Sequence, residues 1–409
     1  MDYITDIVAR QYSDWVYPAP IEDMVQAMAD GYYEYGSPAV SLPLLWPERR
    51  SLNGLKVLIA GCGTNQAAYY ALALPEAKIT AVDISRTSLE HTQYLKEKHG
   101  LTNLFLYKMS LLDVTKLGES FDFIVCTGVL HHMPDPDAGL RVLRDVLAPD
   151  GLMNIMVYGQ MLRIGVYMLQ DAFRRLRFEQ TQQDLDLVKS TINSLPKNHI
   201  IQNYLSIAED LKYDSGIVDT FLHTQDRAYT VPQVLEFARS NGLEFWDWVD
   251  RKEYCPTALI PLSHPIMPRI LALRPEEQWA VVELILQKIG THRFFFCHRR
   301  RLRQVVRPNF DNHSWTCYVP VLREFLTVQE LGDIASGKLA KLKRGWHEFS
   351  LNRLGIALMS HIDGVKTITQ VLEHARSSVP DLTMQQTREF FQTMQDWGHV
   401  MFWLEAEKR

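Results

Sequence analysis

Gly61-Cys62-Gly63 interrupts the apolar run Leu55–Ala60, and the next apolar run, 78–83, ends in Asp83, twenty residues beyond Gly63. Glycines at a strand end let the backbone approach a ligand. A carboxylate closing the following strand, about 20 residues on, can accept the two hydroxyls of a ribose. In a dinucleotide fingerprint a third glycine would stand at position 66, where this chain carries Gln66. Close helix–strand packing around a pyrophosphate wants that glycine. The pattern therefore points to a ligand with adenosine and without phosphates.

Three further groups carry reactive side chains. Thr127-Gly128-Val129-Leu130-His131-His132 follows an apolar run and carries two adjacent histidines. His131 is read as a general base, against the alternative of a packing or capping histidine. A polar cluster at 219–229 offers His223, Asp226, Arg227 and Tyr229, either as a return into a substrate pocket or as a surface loop before the helix that Thr230 caps. Tyr158 ends another apolar run, at the strand end where such architectures bind ligands. Upstream, Tyr12, Trp15, Tyr17, Tyr32, Tyr33 and Tyr35 form an aromatic stretch that reads as a lid or as core packing.

Positioning these groups takes alternating strands and helices. Apolar runs at 55–60, 78–83, 103–107, 121–126 and 152–158 read as strands, and 64–74, 86–99 and 138–147 read as helices. Such alternation implies parallel strands with right-handed crossovers. Pro149-Asp150-Gly151 reads as the turn before the fifth strand. About 70 residues of helical pattern follow, far longer than an ordinary connection, and are expected to cap the ligand site. Runs at 243–249 and 293–298 complete the sheet. Arg299–Arg303 and 308–313 read as a solvated linker. Leu351, Leu354, Leu358 and Ile362 mark one terminal helix face, Ile368, Val371, Leu372 and Ala375 a second, and Thr387, Phe390, Phe391, Met394 and Trp397 a third. Gly398 stands at a C-cap, and Val400–Leu404 reads as a strand.

The 409 residues are 46% apolar and 22% charged, with a net charge of −5, the balance of a two-domain globular protein rather than a disordered one. That charge argues against a broad nucleic-acid or anionic-membrane surface. Acids near Met1 and the polar Asn154, Gln160 and Arg163 within 151–170 argue against a signal peptide and a spanning helix, so a cytoplasmic location is expected. Five cysteines lie far apart, without metal-ligand spacing, and read as free structural thiols. Adjacent residues His131 and His132 point in different directions, so no metal is expected.

In order along the chain, Val57–Asn65, Ala81–Ser85, Ser120–Val125, Thr127–Asp135 and Leu143–Leu152 resemble the successive motifs of class I S-adenosylmethionine-dependent methyltransferases, and Thr291–Cys297 is similar to that family's last antiparallel strand. The resemblance implies a Rossmann-like, seven-stranded α/β sheet. It implies S-adenosylmethionine as cofactor, held by Gly61, Cys62, Gly63, Asn65, Asp83, Ile84, Ser110, Leu111, Thr127, Gly128, Val129 and His132. The family often places an acid after the third strand, where this chain has Ser110-Leu111 and, later, Asp113. His131, Tyr158, His223, Arg227 and Tyr229 are the candidate catalytic residues.

The segment 345–404 resembles small winged-helix, PqqD-like domains that bind leader peptides. Its third helix carries Arg388 against Glu389 and Asp396, which argues against DNA. The expected organisation is 1–50 as an N-terminal lid, 51–158 as the cofactor-binding core and 159–242 as the helical cap. Residues 243–300 complete the sheet, 301–344 form a linker and connecting segment, and 345–409 form the winged-helix-like domain. The expected function is methyl transfer to a nucleophilic N, O or S atom of a small molecule. The alternatives are a peptide or protein acceptor recruited by the terminal domain, and a non-catalytic adaptor that binds the cofactor. A homodimer is part of this expectation.

Overall fold

The structure, a computed structural model, describes residues 15–302, 308–311, 313–333, 335–345 and 347–404. Tyr12 and Arg303 lie outside them. The chain divides into two compact units. The first holds the described residues through Tyr35, Asn53–Val249 and Pro275–Leu302, and the second holds Gly36–Leu52, Asp250–Arg274 and the described residues after Leu302. The segment read as one N-terminal lid is thus shared between the units.

The first unit is built on a mixed sheet. Its strands are β1 (Lys56–Ala60), β2 (Lys78–Asp83), β3 (Leu104–Lys108), β4 (Phe121–Thr127), β5 (Leu147–Gly159), β6 (Ala228–Tyr229), β7 (Leu243–Trp248) and β8 (Thr291–His298). Their order is β3-β2-β1-β4-β5-β8-β7, with β6 beside the end of β5. The sheet therefore has eight strands and not the expected seven. The extra one is the two-residue β6, too short to show any alternation, which pairs Tyr158 with Ala228 and Gly159 with Tyr229. β1 to β5 run parallel, as strands joined by helical crossovers must, and β8 runs antiparallel to both its neighbours. Continuous burial of Val57–Ala60 and Ile79–Val82 matches a strand covered on both faces.

Helix starts follow local chemistry. Ser85 caps Arg86–Lys98, Asp135 followed by Pro136 opens Pro136–Asp145, and Thr230 forms a capping box with Gln233. Pro149-Asp150-Gly151 falls inside β5 at an irregularity, where the register against β4 shifts from Leu147 to Leu152. Arg301, expected in a solvated linker, is buried instead. Its guanidinium lies 4.0 Å from the Trp246 ring centroid, and its Nε donates to the Asp150 carbonyl at 3.0 Å. The apolar stem and planar head of arginine suit that position.

The long insertion after β5 is helical, as its period implies: Ile164–Arg175, Gln182–Ser194, Gln202–Leu205 and Asp214–Phe221. Leu162, Val166, Leu169, Phe173, Leu185, Val188, Val218 and Phe221 give this cap its own core. Each large apolar side chain removed from water there contributes about 1.5–3 kcal/mol toward ordering the insertion.

In the second unit, helices Arg353–Met359, Ile368–Ala375 and Met384–Asp396 precede β13 (Val400–Trp403), in the order read from the sequence. Capping boxes at Thr367/Gln370 and Thr383/Gln386 start the last two helices. The preceding segment, expected as a connection, holds β9 (Val319–Leu322), β10 (Thr327–Glu330) and β11 (Ala340–Arg344), followed by β12 (His347–Leu351). β9 pairs with β13, and β10-β11-β12 form a separate antiparallel sheet. Residues 36–52 belong here too, with Leu404 N–H donating to the Pro47 carbonyl at 3.0 Å and Arg50 stacked on Trp403 at 4.5 Å.

Candidate functional site

The site begins where β1 ends. Gly61 and Gly63 have φ of +78° and +55°, conformations that favour glycine. The N–H groups of Gly61 and Cys62 both donate to the Val82 carbonyl, at 2.9 and 3.1 Å, which ties the turn to β2. At the end of β2, Asp83 Oδ2 accepts from Gly63 N–H and Oδ1 from Ser85 N–H, each at 2.8 Å. A carboxylate oxygen has two lone pairs, so each keeps one for a ligand hydroxyl. Burial raises the Asp83 pKa above its usual 3.8, opposed by those backbone bonds.

A cavity of about 370 Å³ opens over this turn. Ile84, Met109, Ser110 and Leu111 line one end, and Thr127, Gly128, Val129 and Met156 the other. Ser110 Oγ accepts from Leu112 N–H and starts the short helical turn Leu111–Leu117. Asp113 pairs instead with Lys116 at 2.7 Å and is not among the lining residues. Gln66, which breaks the dinucleotide pattern, also lines the cavity, and its Nε2 donates to Glu34 Oε2 and Thr127 Oγ1, both at 2.9 Å.

Of the residues assigned to the cofactor, all but Asn65 line this cavity. Asn65 holds the N-terminal segment instead, accepting from Ile21 N–H and donating to the Ala19 carbonyl, both at 2.9 Å. That pins Tyr17 and Pro18 at the cavity wall, while Tyr32 lines it and donates to Glu34 Oε1 at 2.6 Å. Sequence reasoning missed Glu34, Met109, Met156 and Arg293, which also line the cavity. Glu34 arrives by a fold-back of the N-terminal segment that carries no periodic signal. Arg293, opposite Met156 in the β5–β8 register, was legible only once β8 was placed.

The chain matches the family described as Methyltransferase domain over residues 58–153. It is 31% identical over 317 residues to the uncharacterized protein syc1184_c of Synechococcus sp. (strain ATCC 27144 / PCC 6301 / SAUG 1402/1), covering 74% of each chain. This chain belongs to the same family as that protein, and its domain at 58–153 makes it an S-adenosylmethionine-dependent methyltransferase. Ubiquinone biosynthesis O-methyltransferase of Pseudomonas putida (strain GB-1) is 31% identical over 104 residues, which span 25% of this chain and 44% of that enzyme. Among solved structures, PKMT2 from Rickettsia typhi in complex with AdoHcy has the same fold, with a TM-score of 0.64 at 18% identity over 90% of this chain and 75% of that one.

The methyltransferase keeps a second polar cluster under its cap. His132 lines the cavity, whereas His131 is fully buried behind it and is not among the lining residues. The His131 ring lies 4.0 Å from that of Tyr158 and 4.2 Å from that of His132. Tyr158 donates to Asp219 Oδ2 at 2.9 Å. Over the Tyr158 ring, at 3.6 Å, sits the buried Arg163 guanidinium, which pairs with Asp226 at 3.4 Å and donates to Tyr204 Oη at 2.8 Å. His223 stacks on His132 with ring centroids 4.0 Å apart. Burial first, then His132 and Arg163, hold His131 well below its usual pKa, and burial takes His223 down to about 3. Arg227 donates its N–H to the His131 carbonyl at 2.9 Å, and its exposed guanidinium lies 4.6 Å over the Tyr229 ring. Tyr229 is buried against Phe237. Both residues are placed to shape β6 and its turn.

Among the described residues no helix is long and apolar enough to cross a membrane.

Proposed function

We propose that this methyltransferase acts on a small molecule enclosed beneath the helical cap. The observation that carries the reading is the position of His132. It lines the donor cavity and stacks on His223, a residue of the insertion, so the cap packs directly behind that part of the cavity wall. Enclosure of that kind suits a small acceptor held away from water.

The residue set fits the donor. A Cβ at Gly61 or Gly63 would fill the turn that cradles it, Asp83 offers two oxygens to a ribose diol, and Ile84, Met109 and Leu111 offer an apolar slot to adenine. Glu34 and Arg293, of opposite charge at the other end, suit the ammonium and carboxylate of a methionine moiety. When bound, S-adenosylmethionine supplies a methyl group already activated on a sulfonium. The protein's part is alignment and exclusion of water, which together can account for about 7–11 kcal/mol of barrier lowering. Free thiols at Cys62, Cys126, Cys255, Cys297 and Cys317 support a reducing, cytoplasmic setting.

A second reading is a peptide acceptor recruited by the second unit. It is favoured by β10, whose four residues are all exposed at the edge of the three-stranded sheet, with Val328 and Leu331 open beside the edge. A PqqD-like, winged-helix module would use such an edge for strand addition. Incubating the full chain with methyl-labelled S-adenosylmethionine and a size-fractionated lysate separates the two. Label in low-mass extractable material is expected; label confined to protein overturns the small-molecule reading.

A further inference from the structure

Resting on that reading, we propose that His132 is the proton acceptor of the reaction, poised by a tautomer pair that one residue of the cap, Gln225, sets on His132 and His223, and that the methyl acceptor therefore carries a removable proton, on oxygen or nitrogen.

The assignment follows from hydrogen-bond chemistry. His132 Nδ1 lies 3.0 Å from the Gln225 carbonyl, which can only accept, so Nδ1 carries the proton and the lone pair of the neutral ring is at Nε2. The N–H of the same Gln225 donates to His223 Nδ1 at 3.0 Å, so the neutral His223 ring carries its proton at Nε2. One backbone residue thus fixes opposite tautomers on two rings stacked 4.0 Å apart at 26°. Of the three clustered imidazoles, only His132 lines the donor cavity.

Ligand atoms of His132, Asp219 and His223 all lie within 4.8 Å of one another, a set that invites a metal reading. Ring geometry speaks against it. An imidazole coordinates in its own plane, and two planes nearly parallel at this separation do not meet at a shared ion. The protonated Nε2 of His223 is also a donor, not a ligand.

What Asp219 supplies is charge. Held by the Tyr158 hydroxyl at 2.9 Å, its carboxylate lies beside both rings. The other charged or titratable groups around His132 are His131 on its own turn, Tyr158 on β5, His223, and Arg163, whose guanidinium lies 3.6 Å over the Tyr158 ring. On the cavity side stands Asp135.

The step balances without any further reactant. As a lone pair of the acceptor forms its bond to the methyl carbon, the carbon–sulfur bond breaks and sulfur keeps that electron pair. The acceptor's O–H or N–H proton passes to His132 Nε2, and the imidazolium later returns it to water through the cavity. General-base assistance of this kind contributes typically 10²–10⁴-fold.

Two measurements on the full chain test this. The first needs no acceptor: nitrogen NMR of imidazole-labelled protein with S-adenosylhomocysteine bound, the two rings assigned from His132→Gln and His223→Gln. An Nδ1–H tautomer at His132 and an Nε2–H tautomer at His223 are expected; an Nε2–H tautomer at His132 overturns the proposal. The second is the pH dependence of methyl transfer to whichever lysate fraction the wild type labels. His132→Gln is expected to lose at least about 100-fold in kcat and the acid limb of the profile. A His132→Gln protein with wild-type kcat and profile overturns the base. Label appearing in protein alone overturns the small-molecule reading and leaves the tautomer result to decide the base.

Discussion

A Cβ placed on Gly61 would come within 2.3 Å of Val129 Cγ2, so the donor turn after β1 and the segment after β4 are fitted to each other with no room for a side chain. Gly61 also has a φ of +78°, which costs an L-residue about 1–2 kcal/mol. Gly61→Ala is expected to weaken S-adenosylhomocysteine binding by about 10- to 100-fold, from strain plus displacement of Val129. Calorimetric titration decides it, and an affinity equal to wild type would show that the turn does not carry the ligand.

Asp83 offers charged acceptors to backbone and ligand alike, and hydrogen bonds to charged groups contribute about 1.5–3 kcal/mol each. Asp83→Ala is expected to bind S-adenosylhomocysteine about 100-fold or more weakly, whereas Asp113→Ala, altering an exposed pair with Lys116, should bind like wild type. A pH effect accompanies this. Burial raises the Asp83 pKa above 3.8, so its carboxylate is protonated, and loses acceptors, at a higher pH than an ordinary aspartate. Binding should be flat near neutrality and weaken on acidification before the ordinary aspartate range is reached. A curve that turns only below 3.8 would contradict the burial.

Arg163 and Asp226 have side chains 2% and 0% exposed. Removing one partner of such a pair leaves a buried charge uncompensated and costs about 3–5 kcal/mol. Asp226→Ala should therefore lower the thermal unfolding temperature sharply, and the double variant Arg163→Met/Asp226→Leu should recover most of the loss. Equal destabilisation by the single and double variants would mean that the pair is not energetically coupled.

His131, His223 and His399 are held neutral by burial, with pKa values well below 6.5, about 3 for His223 and about 2 for His399. The unfolded chain takes up these protons first. The contribution to stability is therefore complete above pH 6.5 and is lost as pH falls toward the folded values, at up to about 1.4 kcal/mol per pH unit for each histidine. Calorimetric unfolding at pH 7.5, 6.5 and 5.5 should show falling transitions, less steeply in His399→Gln. A slope unchanged by that substitution would place the acid sensitivity elsewhere.

Most of the sheet was legible because its strands are covered on both faces and read as unbroken apolar runs, and because Gly61, Gly63 and Asp83 keep a fixed spacing. The donor cavity followed from that order. Long-range return was not legible: Glu34 reaches the cavity through a fold-back of the N-terminal segment that leaves no local pattern, and Arg293 lies on a strand that was legible, although its meeting with the cavity was not. β10 and β11 escaped for a different reason. The four exposed residues of β10 have no buried face to impose alternation, and Lys341 and Lys343 alternate with too few apolar residues to stand out. The division of labour between His131 and His132 was equally hidden, since adjacent residues share one sequence context and only the turn decides which ring meets the cavity.

The chain passes back and forth between its two units, and this bears on how it is made. Leu42, Leu45 and Trp46 are buried in the second unit, in the segment whose Pro47 carbonyl receives the N–H of Leu404. At synthesis rates of about 5–20 residues per second, the ribosome releases those early apolar side chains roughly 20–70 s before the strand that completes their surroundings. Over that interval they are a natural target for a chaperone. A chain terminated before β13 would keep them exposed for good, so premature stop codons even near residue 400 should yield aggregates and not a trimmed enzyme.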